Sequence, residues 1–456
     1  MSSDRYEAEI AQHVRRLRRR AWRDRARESL LFLPATMLLG SVVLALILGA
    51  VDPTADAELP TAISFAPSTA STLLSTIAGA TITTAGVVFS LLVISLQLAS
   101  GQFSPRVLRG FWRDRLGQVL IGLLLSTFAF CVIALARLDP DAKQAPALIV
   151  LVALLLALAS VLAIVVYLDR ISRQQYVGRI IARVADETLS LIEELPYGSQ
   201  IGMRIGDPVS PPELVGVPLA VAAPGDGWVQ QISRRAVIAA APAGSVVRIE
   251  TRVGAYIVRG TPLITIWPAP PEPDHDRIRQ LADDAVILGP ARTMQQDIDF
   301  GLRQLNDIGL RALSAAVNDP TTATEVVLRL GSVLRPLLLA ELPAQSVRDP
   351  AGRILLTPYD LDHPEYIAHA FDQLRHYAAA HQHVVLALIR TVRMLRDACL
   401  SAGDRAEVVA ALNRQIGLAL EAYRATRPPP EDLAKLEAVA GAPPDQLPTP
   451  LPTARP

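Results

Sequence analysis

The sequence predicts an α-helical membrane protein of four transmembrane helices, followed by a cytoplasmic region that combines a small β-barrel with an α-helical domain. Three observations predict it. Of 456 residues 51% are hydrophobic and the mean hydropathy is +0.31, too apolar for a water-soluble chain with 19% charged residues. The apolar residues crowd into four runs of about 20 residues or more, the helical length that crosses a hydrocarbon core of roughly 30 Å. After the last run the pattern turns to short Val- and Ile-rich stretches between glycines, and then to helical periodicity.

The four runs are 30–51, 71–99, 117–137 and 145–168, a transmembrane domain over 30–168. Residues 1–29 before them carry Arg15, Arg16, Arg18, Arg19, Arg20, Arg23, Arg25 and Arg27. That lead is too long and too basic for a cleaved signal peptide, so it is expected to stay attached. Lys and Arg flanking a span are retained on the cytoplasmic side. The link 52–70 has Asp52, Asp56 and Glu58 but no base, and 138–144 has only Lys143 beside Asp139 and Asp141, so both are expected outside. The N-terminal segment, the link 100–116 and the stretch with Arg170, Arg173, Arg179 and Arg183 are basic and expected inside. Both termini then lie in the cytoplasm and the chain in the inner membrane.

Within the 100–116 link, Ser104 can cap a helix with Pro105 at its first position. Arg106, Arg109 and Arg113 then share one face, while Val107, Leu108, Phe111, Trp112 and Leu116 fill the other. Such a helix lies in the headgroup layer with its arginines on anionic lipid. A plain basic flank of the neighbouring spans is the other reading.

The second run carries Thr72, Thr76, Gly79, Thr83, Gly86, Ser90, Val93 and Gln97 at alternating steps of four and three, which puts a small, hydroxylated stripe on one helix face. Two readings stay open. Small residues let helices pack closely in a bilayer, or several copies of the stripe surround a polar path where hydroxyls and an amide replace hydration. The stripe holds no acid or base, so a proton relay is not expected.

Residues 169–213 read as a helical stalk continuing the fourth span, then a Gly- and Pro-rich linker. Residues 214–268 read as short strands, and the spacing of Gly227, Val229, Gly254, Val258, Gly260, Pro262 and Leu263 resembles the barrel of biotinyl and lipoyl domains. The segment has no lysine to modify, which favours an assembly module. Residues 269–426 return to helical periodicity, with Asp319 an expected N-cap and Pro320 at the first helical position. Arg303, Asp307 and Arg311 fall four apart on one face and, with Asn318 and Asp319, form a polar cluster. It is either a solvated ion network or a buried interface or ligand site. His369, His376 and His383 recur at seven, too far apart to hold one metal from one helix. Asp360, Asp362 and Glu365 suggest a loop and a helix start, and 427–456 a proline-rich disordered tail.

No phosphate-cradling loop, dinucleotide fingerprint, HExxH or nucleophile elbow occurs, so no catalytic residue, cofactor or metal is expected. The two cysteines, Cys131 and Cys399, are not expected to pair. The arginine clusters sit beside spans, where lipid accounts for them, and nucleic acid is not an expected partner.

"TTAGVVFSLLVISLQLASGQFSPRVLRGFWRDR" together with "FGLRQLNDIGLRALSAAVNDPTTA" is similar to the predicted bacterial membrane proteins grouped as domain of unknown function 2254. The likeness is carried by Gly86, Phe89, Ser90, Gln97, Phe103, Ser104, Pro105, Arg106, Phe111, Asp114, Asp307, Asn318, Asp319 and Pro320. It implies a multispan membrane protein with a cytoplasmic region and supplies no catalytic or binding residues. From the residues themselves, the expectation is a homo-oligomeric channel or transport-like protein with a cytoplasmic collar. The alternative is a non-conducting scaffold or sensor that binds a partner protein through its cytoplasmic domains.

Overall fold

The computed structural model describes residues 32–50, 65–102, 115–139, 145–174, 177–194, 206–403 and 405–441. The chain divides into two units, one of residues 19–176 and one of 1–18 with 177–456.

In the first unit the apolar runs form α1 (Phe32–Ala50), α2 (Pro67–Gln102), α3 (Arg115–Ala136) and α4 (Ala147–Gln174). Each contains a stretch long and apolar enough to cross a membrane: Phe32–Ala50, Pro67–Ile94, Arg115–Ala136 and Ala147–Asp169. A helix satisfies its backbone groups internally, which a hydrocarbon environment requires. α3 is the central helix and packs against the other three, burying Leu120, Leu124, Phe130, Cys131 and Ala134. Gly122 permits the approach of α1, because a Cβ there would stand 2.7 Å from Met37 Sδ and 3.1 Å from Pro34 Cα. Between α3 and α4 the Thr127 and Ser160 hydroxyls lie 3.2 Å apart, so that one can donate to the other while the other donates to the carbonyl of Leu123 or Leu156 in its own helix. Leu39, Ile47, Phe89, Leu158 and Leu162 are exposed, giving the unit an apolar exterior. Phe65 and Ala145 pair in an antiparallel bridge, so the base-poor links end on the same side of the unit.

The second unit opens with α5 (Val177–Glu194), whose Ile180, Ile181, Val184, Ala185 and Ile192 are buried. The apolar face of α5 packs on two helices of its own unit, α8 (Ile298–Ala312) and α9 (Pro320–Leu339). Gly301 of α8 lets α5 come close, since a Cβ there would collide with Thr188 Oγ1.

The strands between are β1 (Asp207–Pro208), β2 (Leu219–Ala222), β3 (Gly227–Ile232), β4 (Val246–Ile249), β5 (Tyr256–Ile257), β6 (Pro262–Trp267) and β7 (Val286–Gly289). β8 (Ser346–Arg348) and β9 (Ile354–Leu356) follow α9. They form a six-stranded sheet in the order β1-β8-β9-β4-β6-β2 and a three-stranded sheet β5-β3-β7. The expected biotinyl/lipoyl-like barrel is therefore corrected: the described strands make two open sheets and no closed barrel. The physical reason is pairing beyond residue 268. β7 lines up on β3, with Val229 opposite Leu288, and β9 runs parallel to β4, with Val247 opposite Leu355. The two sheets share one core with α6 (Arg234–Ala240) and α7 (His275–Ala285), built around Val229, Ile238, Val247, Ile249, Leu263, Ile266, Ile278 and Leu355.

The remaining elements are helical: α10 (His363–Ala378), α11 (Gln382–Ser401), α12 (Ala406–Ala425) and α13 (Pro430–Gly441). α9 buries Val326, Val327, Leu330 and Leu334 against α11, α8 and α5. α13 corrects the expectation of disorder over 430–441. Pro430 at its first position, Glu431 and Asp432 in its first turn, and fully buried Leu436 start and anchor it. Arg393 of α11, itself buried, donates to the Val439 carbonyl.

Candidate functional site

Two polar features stand out, one in each unit. The first is the hydroxylated face of α2. Thr72, Thr76, Gly79, Thr83, Gly86, Ser90, Val93 and Gln97 are all exposed. The face that α2 packs on its own unit is a different one, carried by buried Ala70, Leu74, Ala78, Thr81, Ala85 and Val88. Leu74 follows Thr72 by two residues, about 200° around a helix of 100° per residue, so the stripe faces away from the unit's core. Each hydroxyl is satisfied by its own backbone: Thr72 donates to Ser68 O (2.9 Å), Thr76 to Thr72 O (2.7 Å), Thr83 to Gly79 O (2.8 Å) and Ser90 to Gly86 O (2.9 Å). Nothing lies within 4 Å of a Cβ at Gly79 or Gly86, leaving two open notches on that face. Among the described residues of its own unit, the stripe thus packs against no helix. The basic helix expected from Arg106, Arg109, Trp112 and Arg113 lies outside the described residues.

The residues expected to cluster on α8 lie in different surroundings. Arg303 donates to Asp299 Oδ2 at 3.0 Å. Asp307 is half-buried, and Arg311 and Asn318 are exposed, Asn318 with a left-handed φ of 47°. Asp319 caps α9 as its sequence suggested, its carboxylate accepting from Thr322 N (3.1 Å) and Thr322 Oγ1 (2.6 Å). The Thr322 hydroxyl and backbone amide hold that carboxyl below its usual range. Asp362 and Glu365 form a reciprocal capping box that starts α10.

The second feature was not expected from sequence: a buried ionic cluster centred on Arg292. Its guanidinium grips Asp297 with two hydrogen bonds, Nη2 to Oδ1 at 2.7 Å and Nε to Oδ2 at 2.8 Å, and reaches Asp299 Oδ2 at 2.8 Å. His369 Nδ1 of α10 donates to Asp299 Oδ1 at 2.7 Å. Side-chain exposures of 8%, 3% and 2% for Arg292, Asp297 and Asp299 put the charges out of water, where each depends on the others. Burial alone would raise the Asp299 carboxyl, but hydrogen bonds from His369 and Arg292 and the charge of Arg303 outweigh it and hold Asp299 well below the usual carboxylate range. Asp297 also caps α8 by accepting from Phe300 N at 2.9 Å. Gly254 is required beside the cluster: its φ is +82° and a Cβ there would run into Asp297 Oδ2 and Arg292 Nη2.

A cavity of about 190 Å³ opens on this cluster between the sheets and the helices of the second unit. Asp297, Asp299, Thr357, Asp360, Tyr366 and Arg252 form part of its wall, and Arg234 pairs with Asp360 at its edge. Burial, with the carboxylates of Asp297, Asp299 and Asp360 nearby, pushes the Tyr366 phenol well above its usual value, so it is a hydroxyl donor. Among the described residues no group of three or more His, Cys, Asp or Glu has the geometry to hold a metal ion.

Four helices long and apolar enough to cross a membrane, in a chain that also has a mixed α/β unit, define the class: a multi-helix membrane protein. More narrowly, the chain belongs to the family described as predicted membrane protein DUF2254, which it matches over residues 27–394. An uncharacterized protein of Mycobacterium bovis is 35% identical over 366 residues, covering 78% of this chain and 68% of the relative. An uncharacterized protein of Mycobacterium tuberculosis is equally similar, and one from a second strain of that species is 34% identical over 365 residues. No solved structure matches.

Proposed function

We propose that the protein is a homo-oligomer of the inner membrane, with both termini in the cytoplasm, in which the hydroxylated faces of α2 from several copies enclose a polar path for an ion or small solute. The observation that carries this reading is that α2 presents Thr72, Thr76, Thr83, Ser90 and Gln97 away from its own unit, with Gly79 and Gly86 open among them. A lipid-facing helix gains nothing from hydroxyls and glycines, whereas neighbouring copies can pack into the notches. From Thr72 to Gln97 the stripe runs about 37 Å at 1.5 Å per residue, enough to traverse the hydrocarbon layer. In this reading the protein is not an enzyme, and the arginines at 106, 109 and 113 rest on anionic headgroups.

The test is native mass spectrometry and solute flux on the full chain in vesicles of mixed zwitterionic and anionic lipid. Oligomers should form and pass ions, and Thr83→Leu or Ser90→Leu should reduce flux with the protein still folded. A monomer that passes no ion or small solute contradicts the proposal. The second reading, a non-conducting scaffold or sensor with a protein partner, is favoured by the same apolar and hydroxylated face if copies assemble without flux.

A further inference from the structure

Arg234, Arg252, Thr357 and Tyr366 bring hydrogen-bond donors to the wall of the cavity in the second unit. Its carboxylates are already engaged: Asp297 by Arg292 and Phe300 N, Asp299 by Arg292, Arg303 and His369, and Asp360 by Arg234. Asp362, at the exposed rim, accepts from Glu365 N. Three donors remain. Arg252 is half-buried and its guanidinium makes one described hydrogen bond, to the Val253 carbonyl at 3.2 Å, with no carboxylate partner among the described residues. Thr357 is 3% exposed and its Oγ1 has no hydrogen-bond partner. Tyr366, a hydroxyl donor, lines the same space.

Charge points the same way. Arg234 pairs with Asp360, Arg292 with Asp297 and Asp299, and Arg303 with Asp299, so Arg252 is the lining arginine with no carboxylate partner among the described residues. A buried hydroxyl without a partner is costly, and an unpaired guanidinium at a cavity wall is matched best by a carboxylate. Ile232, Ile249, Ile298, Leu342 and Leu361 give the lining an apolar part, beside polar Thr251, Gln296 and Gln345. A cavity of about 150 Å³ accepts a benzene-sized guest, so the space here suits a ring or short chain with one charged head.

We propose that this cavity is a binding site for a small monocarboxylate, whose carboxylate is held by Arg252, Thr357 and Tyr366 and whose apolar body fills the space against Ile249 and Leu361. The site needs no oligomer and no flux, so it stands whether or not the membrane reading holds.

The experiment is calorimetric titration of the full chain in lipid nanodiscs with acetate, butyrate and benzoate, and with benzylamine and inorganic phosphate as counter-probes. Benzoate or butyrate should bind saturably with a dissociation constant of about 1 mM or tighter, and benzylamine and phosphate more weakly. Arg252→Gln should weaken the bound acid about tenfold or more, and the isosteric Thr357→Val and Tyr366→Phe several-fold each. Arg252 and Tyr366 are half-buried, and Thr357→Val keeps the volume of its site, so these variants leave the fold in place for the comparison. The proposal is overturned if none of the three acids binds, if benzylamine or phosphate binds tighter than every acid, or if Arg252→Gln and Thr357→Val leave the acid's affinity unchanged.

Discussion

The face of α2 and the cluster around Arg292 solve one problem in opposite ways. Both place polar groups outside bulk water. On α2 the answer is local: each hydroxyl returns to a carbonyl four residues back in its own helix. Around Arg292 the answer reaches beyond one helix, because Asp299 is satisfied by Arg303 four residues on, by Arg292 seven residues before it and by His369 70 residues after it. Local satisfaction leaves a face free to meet something else. Distant satisfaction ties separate segments together, so the cluster should matter to folding and the stripe to association.

The largest expected effect breaks the distant network. Asp299→Ala leaves Arg292 and Arg303 without their shared carboxylate in a site that is 2% exposed, and should destabilise the second unit by about 3–5 kcal/mol. Denaturant unfolding of the full chain, followed by the fluorescence of Trp228 and Trp267, checks it. A loss below about 1 kcal/mol, the size of a surface pair, would place the cluster with ordinary solvated charges.

Next comes Gly254→Ala. A Cβ there meets the Asp297 carboxylate and must adopt a positive φ, which should cost about 1–3 kcal/mol by the same unfolding measurement. A neutral result would mean the cluster shifts freely.

The pH response sharpens the contrast. The folded Asp299 carboxyl titrates below its unfolded value, so the folded protein binds fewer protons than the unfolded chain and stability rises with pH across that interval. The contribution is complete above the unfolded value of about 3.9 and is lost as pH falls toward the depressed folded value. Unfolding curves collected at falling pH should steepen in their loss of stability there, and Asp299→Ala should remove that extra loss. An unchanged slope in the variant would deny Asp299 its role.

The smallest effect belongs to α2. Thr83→Val removes an exposed hydroxyl bonded only within its helix, so the folding stability of one copy should change by less than about 0.6 kcal/mol. The same variant should lower the oligomeric fraction seen by native mass spectrometry. Reversed sizes, a destabilised fold and an unaffected assembly, would dissolve the comparison between the two regions.

Legibility follows the same division. The four spans lie within a few residues of their expected bounds because a run of about 20 apolar residues is a local signal. The stripe of α2 and the cap at Asp319 could be read for the same reason, each needing no more than a helix's own spacing. Arg292, Asp297 and Asp299 sit in "ARTMQQDIDF", which has no periodic or motif signal, and His369 looked like one of several scattered histidines. Only the fold brings α10 against Asp299. The three-residue strands at 346–348 and 354–356 are too short to carry an alternating pattern, so neither the pairing of 354–356 with β4 nor that of the two with each other is legible, and a barrel is what the sequence predicts in their place. Residue 269 looked like the start of a helical domain because β7, β8 and β9 are brief beside the helices around them.

The central claim, that copies of this chain meet through the hydroxylated face of α2, is tested most directly by disulfide cross-linking in native membranes. In a chain with Cys131→Ala and Cys399→Ala, single cysteines replace Thr76, Thr83 or Ser90 on the stripe, or Ile82 or Phe89 on exposed apolar positions beside it. In-membrane oxidation should join the stripe variants into dimers and larger species, since facing copies bring their Cα atoms within about 7 Å, and leave the Ile82 and Phe89 variants as monomers. Equal cross-linking at all five positions, or none on the stripe, would contradict the claim.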